Sequence, residues 1–80
     1  MITPDAAEVL ANATIAQYVN SCDCETPEDI ANVLMKLASM CGLGMSAVAG
    51  RDEAVQRLLG TAQWVQKTQQ VMPWAKGFVQ

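Results

Sequence analysis

The chain predicts an all-α fold of three helices. The second and third form an antiparallel hairpin, the first packs across them, and a short aromatic tail ends the chain. Three observations carry that expectation. A Thr-Pro-acid start signal occurs twice, at Thr3-Pro4-Asp5 and Thr26-Pro27-Glu28-Asp29. Apolar residues recur at spacings of three and four. No β-branched run with period-two alternation competes with them. Eighty residues are expected to make one domain.

Thr3 suits an N-cap and Pro4 the first helical position, while Asp5 and Glu8 favour the positive end of a helix dipole. That helix is expected over about 4–20. Ala6, Val9, Leu10, Ala13, Ala16 and Val19 form one apolar face, and Ala11, Ile15 and Tyr18 a second, so packing on two sides is expected. After a connection at 21–25, Thr26 and Asp29 stand three apart as a capping box opening a second helix. Its apolar stripe is Ile30, Leu34, Leu37, Cys41, Met45 and Val48. Gly42 and Gly44 favour a break near residue 41, with extension to 49 as the alternative. The third helix is expected over 51–72, with Val55, Leu58, Ala62, Val65 and Met72 as its core stripe and Pro73 as its stop. The tail 73–80 holds Trp74 and Phe78.

The chain is 51% hydrophobic and 16% charged, against about 25% charged in ordinary soluble chains. A domain this small buries only roughly 60% of its unfolded surface. The apolar surplus is therefore expected to meet other copies of the chain or another protein. The net charge is −3. It splits unevenly, because residues 1–35 hold six acids and no base while 36–80 hold five bases and two acids. Those halves, −6 and +3, suit contact within or between chains, although plain solvated faces would also give them. Five scattered bases are too few for nucleic-acid binding.

Histidine is absent, which removes the usual general base, and no enzyme activity, metal or cofactor is expected. Cys22-Asp23-Cys24 with Cys41 gives three sulfurs, one short of a zinc set and without the CxxC spacing of redox dithiols. An odd cysteine count and no leading signal sequence suggest a reducing, cytoplasmic setting. The uncharged run from Leu37 to Gly50 is 14 residues, short of the roughly 20 of a membrane span, so no membrane association is expected.

Gly42, Ser46 and Gly50 are spaced to form a small-residue stripe at a close helix crossing. The string Leu43-Gly44-Met45-Ser46 resembles the motif of acyl-carrier proteins, with Met45 where that family has Asp. The resemblance implies that Ser46 would open a helix and carry a phosphopantetheine arm. Trp64, Trp74, Phe78 and Met35 are the candidate partner-contact residues. Asp23, Glu25, Glu28 and Asp29 are the candidates for electrostatic steering.

The composition thus favours a small non-enzymatic interaction module, a homo-oligomer that occupies a partner protein's surface as adaptor or inhibitor. Short, acidic, histidine-free helical chains are common among bacterial and phage accessory products, an association that fits this role. The alternative is an oligomer holding a nucleotide or metabolite between subunits, with Tyr18, Lys36, Arg51 and Arg57 as polar contacts.

Overall fold

The computed structural model describes residues 1–68 and Met72. These are all-α: three helices, α1 (Pro4–Ser21), α2 (Pro27–Ala49) and α3 (Arg51–Lys67), with no strand among the described residues. They group into two units, residues 1–33 and residues 34–68.

In the first unit both start signals form as their chemistry requires. The Ala6 amide donates to Thr3 Oγ1 at 3.1 Å, and Pro4 opens α1. At α2 the capping box is reciprocal: the Asp29 amide donates to Thr26 Oγ1 and the Thr26 amide to Asp29 Oδ2, each at 3.1 Å. The same Oδ2 also accepts from the Glu25 amide at 3.1 Å. These bonds hold the Asp29 carboxyl below its ordinary 3.8, the Glu25 amide contributing most and the Thr26 amide next. A depressed carboxyl stabilises the fold fully above its unfolded value and loses that contribution as pH falls through the folded one. Asp29→Asn should therefore melt below wild type near neutrality, and the gap should narrow as the pH drops below 3.8. Thermal melts of both proteins across that range test this, and a gap independent of pH would refute the charge-assisted cap.

Between α1 and α2, Asp23 takes a left-handed φ of 55°, which Asp tolerates better than most residues. Val19 and Ile30 are the buried apolar residues of this unit. The Tyr18 hydroxyl donates to the Val33 carbonyl at 2.8 Å, the one side-chain hydrogen bond among the described residues that spans more than four positions. Only one face of α1 is covered: Asn12, Ile15, Ala16, Tyr18 and Cys22 are half-buried around Val19, while Val9 and Leu10 are exposed. Packing of α1 on two faces is thus not what the chain does.

The second unit contains the C-terminal part of α2 and all of α3. Here α2 runs unbroken through Gly42 and Gly44 to Ala49, so the break favoured near residue 41 is absent. Each glycine costs a helix about 1 kcal/mol relative to alanine, a weak preference that packing outweighs. Gly42 is buried, and a Cβ placed on it would lie 3.0 Å from Leu58 Cδ1. The tip of the Leu58 side chain therefore lies where a side chain on Gly42 would stand, whereas Gly50, in the same expected stripe, has open space at its Cβ position. Met45 and Ser46, on the same side of α2, are half-buried.

Gly50 alone separates the two helices. Its amide closes the last turn of α2 on the Ser46 carbonyl at 3.0 Å, and its carbonyl accepts the first bond of α3, from the Ala54 amide, at 3.0 Å. Its φ of 94° and ψ of 154° lie in a region that only glycine occupies comfortably.

α3 ends at Lys67 and not at residue 72, since Thr68 is extended at φ −112° and ψ 127°. The physical reason is a lack of tertiary support. After Ala54 every residue of α3 is exposed, and helices owe most of their stability to packing. The expected core stripe of α3 fails likewise: Val55, Leu58, Ala62 and Val65 are exposed, and Ala54 is the buried residue. On α2, Cys41 and Val48 also belong to the surface and not to the core.

Candidate interaction surface

Three apolar residues (Val19, Ile30, Ala54) are buried among the described residues, and no large side chain is fully enclosed. Against them stand exposed large hydrophobics on every helix: Val9 and Leu10 on α1, Met35, Met40, Leu43 and Val48 on α2, and Leu59, Trp64 and Val65 on α3. The surplus inferred from composition is therefore a surface feature with known positions.

Met35 and Trp64, two of the expected contact residues, are 66% and 58% exposed. Trp64 follows Arg57 and Gly60 at helical spacing, and the Arg57 guanidinium pairs with Glu53 one turn earlier (Nε–Oε1, 3.0 Å). Exposed tryptophan and arginine on one helix face are residue types enriched in protein-contact patches. Gly60, one turn before Trp64, has open space where its Cβ would be. Trp74 and Phe78, the remaining aromatic candidates, lie outside the described residues.

The steering residues occupy the α1–α2 corner. Asp23, Glu25 and Glu28 are exposed, while Asp29 is half-buried and engaged in the helix cap. Among the described residues none of the four forms an ion pair, so three carboxylates project an unneutralised field from this corner.

The polar residues expected of a small-ligand site are placed differently. Tyr18 spends its hydroxyl on the Val33 carbonyl, and burial, followed by the charge of Cys22, pushes its pKa upward and keeps the phenol protonated. Arg57 is paired with Glu53, and Arg51 lies 3.9 Å from Asp52. Lys36 is exposed on α2. Tyr18 sits in one unit and Lys36, Arg51 and Arg57 in the other.

Cys22, Cys24 and Cys41 are free thiols. Burial first, then Cys22, Asp29 and Asp23, push the Cys24 thiol upward, away from the reactive thiolate. No group of three or more metal-ligating side chains gathers among the described residues. Ser46 lies in the last turn of α2, half-buried on the side of Gly42. That is not the helix-opening position which the carrier-protein resemblance implies.

One property of α2 was hidden by judging only its uncharged run. At 23 residues the whole helix is long and apolar enough to cross a membrane by length and composition, and 11% of its most apolar window is buried. Comparison with protein-family models, with curated proteins and with solved structures found no match.

Proposed function

We propose that the protein is a small, non-enzymatic interaction module. It associates with copies of itself and occupies the surface of another protein in the cytoplasm, as an adaptor or an inhibitor. The observation that carries this reading is the ratio of apolar surface to core: among the described residues, three buried apolar side chains stand against large exposed hydrophobics on all three helices. Exposed apolar side chains in this number mark interaction surfaces more often than free solvent-facing ones. Met35 and Trp64 are the proposed anchors, and Asp23, Glu25 and Glu28 steer a basic partner surface toward them.

Affinity purification with quantitative mass spectrometry tests this, using wild type and Trp64→Glu as baits in the source cells. A partner retained by wild type and depleted at least about tenfold on the variant, the equivalent of 1.4 kcal/mol, is the expected result. Identical profiles from both baits would exclude Trp64 as an anchor. A nucleotide and metabolite panel that shifts the melting temperature of the purified chain would instead favour ligand binding.

A further inference from the structure

Cys22, Asp23 and Cys24 lie in the connection from α1 to α2, and the interaction reading makes no use of the two thiols. Both are free and half-buried, whereas Cys41 is exposed on α2. The chain bends tightly here. Cys22 ends α1 at φ −86° and ψ −4°, its amide donating to the Tyr18 and Val19 carbonyls at 3.2 and 3.1 Å. Asp23 follows with a φ of 55°, in the left-handed region where ψ is held to about 30–60°. A residue with such angles is one step of a mirror-image helix. The Cα atoms on either side of it therefore lie about 5.4 Å apart, from a helix radius of about 2.3 Å and a rise of about 1.5 Å per residue. An extended segment would hold them at about 7 Å, beyond the roughly 4.4–6.8 Å that a disulfide usually spans. The side chains converge as well. After burial, Cys22 by its charge and a hydrogen bond, and then Cys24, push the Tyr18 hydroxyl upward in pKa. On Cys24 itself burial acts first and Cys22 next. Tyr18 is fixed in turn by its 2.8 Å bond to the Val33 carbonyl. Both sulfurs thus face one anchored phenol at one bend.

We propose that Cys22 and Cys24 form a reversible dithiol switch, closing into a disulfide across Asp23 in response to glutathione disulfide. The proposal does not depend on what the exposed apolar residues bind. The missing CxxC spacing is no obstacle, because the bend at Asp23 brings the two positions together. In the first step the Cys22 thiolate attacks one sulfur of glutathione disulfide, breaks its S–S bond and releases one glutathione thiolate. Cys24, whose thiol is held protonated, is the later partner. It gives up its proton, attacks Cys22 Sγ and releases the second glutathione. Two electrons pass from the cysteine pair to the glutathione disulfide, and the two thiol protons end on the two glutathione molecules. In a reducing setting such a bond is transient, which is the behaviour of a sensor and not of a structural staple. The ring encloses Asp23 and adjoins Glu25, two exposed carboxylates that form no ion pair among the described residues. Oxidation therefore acts on the acidic corner between α1 and α2.

The folded full chain is incubated with glutathione disulfide, quenched with N-ethylmaleimide, cut with trypsin and weighed. Peptide 1–36, which holds both cysteines of the pair, should lose two hydrogens and take up neither glutathione nor maleimide. Cys41→Ser should behave in the same way, whereas Cys22→Ser and Cys24→Ser should stop at a glutathione adduct on that peptide. Reduced glutathione should return the wild type to the dithiol. In urea the share of closed ring relative to the adduct should fall severalfold, because the bend is lost. Tyr18 is the single tyrosine of the chain, so its ionisation can be followed by near-ultraviolet absorbance on Cys41→Ser. Closing the ring removes both thiol charges, and the phenol should then titrate at lower pH than in the dithiol form. Glutathione adducts without a ring, or a ring share unchanged in urea, overturn the proposal. So does a ring that reduced glutathione leaves closed. A tyrosine titration indifferent to oxidation overturns the placement of the two sulfurs at Tyr18.

Discussion

Ile30→Ala should cost about 2–5 kcal/mol, the range for truncating a buried isoleucine that leaves a cavity. Ile30 is 6% exposed and, among the described residues, shares the buried apolar positions of its unit with Val19 alone. A small domain has on the order of 5 kcal/mol of stability to lose. The variant should therefore keep at most about 3 kcal/mol, and its urea transition should move to much lower denaturant. Ile30→Val removes one methylene group and should cost only about 0.5–1.5 kcal/mol. Urea titrations followed by far-ultraviolet circular dichroism measure both. If Ile30→Ala loses less than about 1 kcal/mol, the buried cluster around α1 and the start of α2 is not what holds this unit together.

The second large effect belongs to Gly42. Gly42→Leu must place a branched side chain where Leu58 already packs, and overpacking of this kind costs about 1–3 kcal/mol. Gly42→Ala is a different case. Its Cβ would meet only the far end of Leu58, a flexible chain that is 40% exposed and free to turn aside. The helix gains about 1 kcal/mol from the same change. Gly42→Ala should therefore melt within a few degrees of wild type while Gly42→Leu melts well below it. Equal melting temperatures for the two would mean that α3 does not need the close approach at residue 42.

The helix starts were legible because they are local chemistry. Thr3 with Pro4, and Thr26 with Asp29, satisfy backbone donors within three residues, and no distant contact is needed to decide them. What propensity marked wrongly was settled by packing. Gly42 reads as a breaker in isolation, yet it is the position against which Leu58 lies. The end of α3 was misplaced for the opposite reason: residues 55–67 look like a core stripe, but all of them are exposed and the helix stops at Lys67. Burial of Ala54 gave no signal, since hydrophobic pattern weighs large side chains and a close contact wants a small one.

The exposed apolar surface was legible in kind but not in place. Composition told how much apolar area would remain outside, and Met35 and Trp64 are indeed outside. The bare half of the α2 stripe was not foreseen, because Cys41 and Val48 carry the same periodicity as buried Ile30. Periodicity reports that a face wants a partner. Whether the chain itself supplies that partner depends on contacts far apart in sequence.

Gly50 has a consequence for how this gene can vary. Its backbone angles, φ 94° and ψ 154°, exclude any residue bearing a Cβ at a strain of about 1–3 kcal/mol. Every coding change from glycine introduces a Cβ, so codon 50 has no conservative neighbour in the genetic code. The single residue that turns α2 into α3 is therefore a position where every coding change is strained, although it is exposed and touches nothing at its Cβ site.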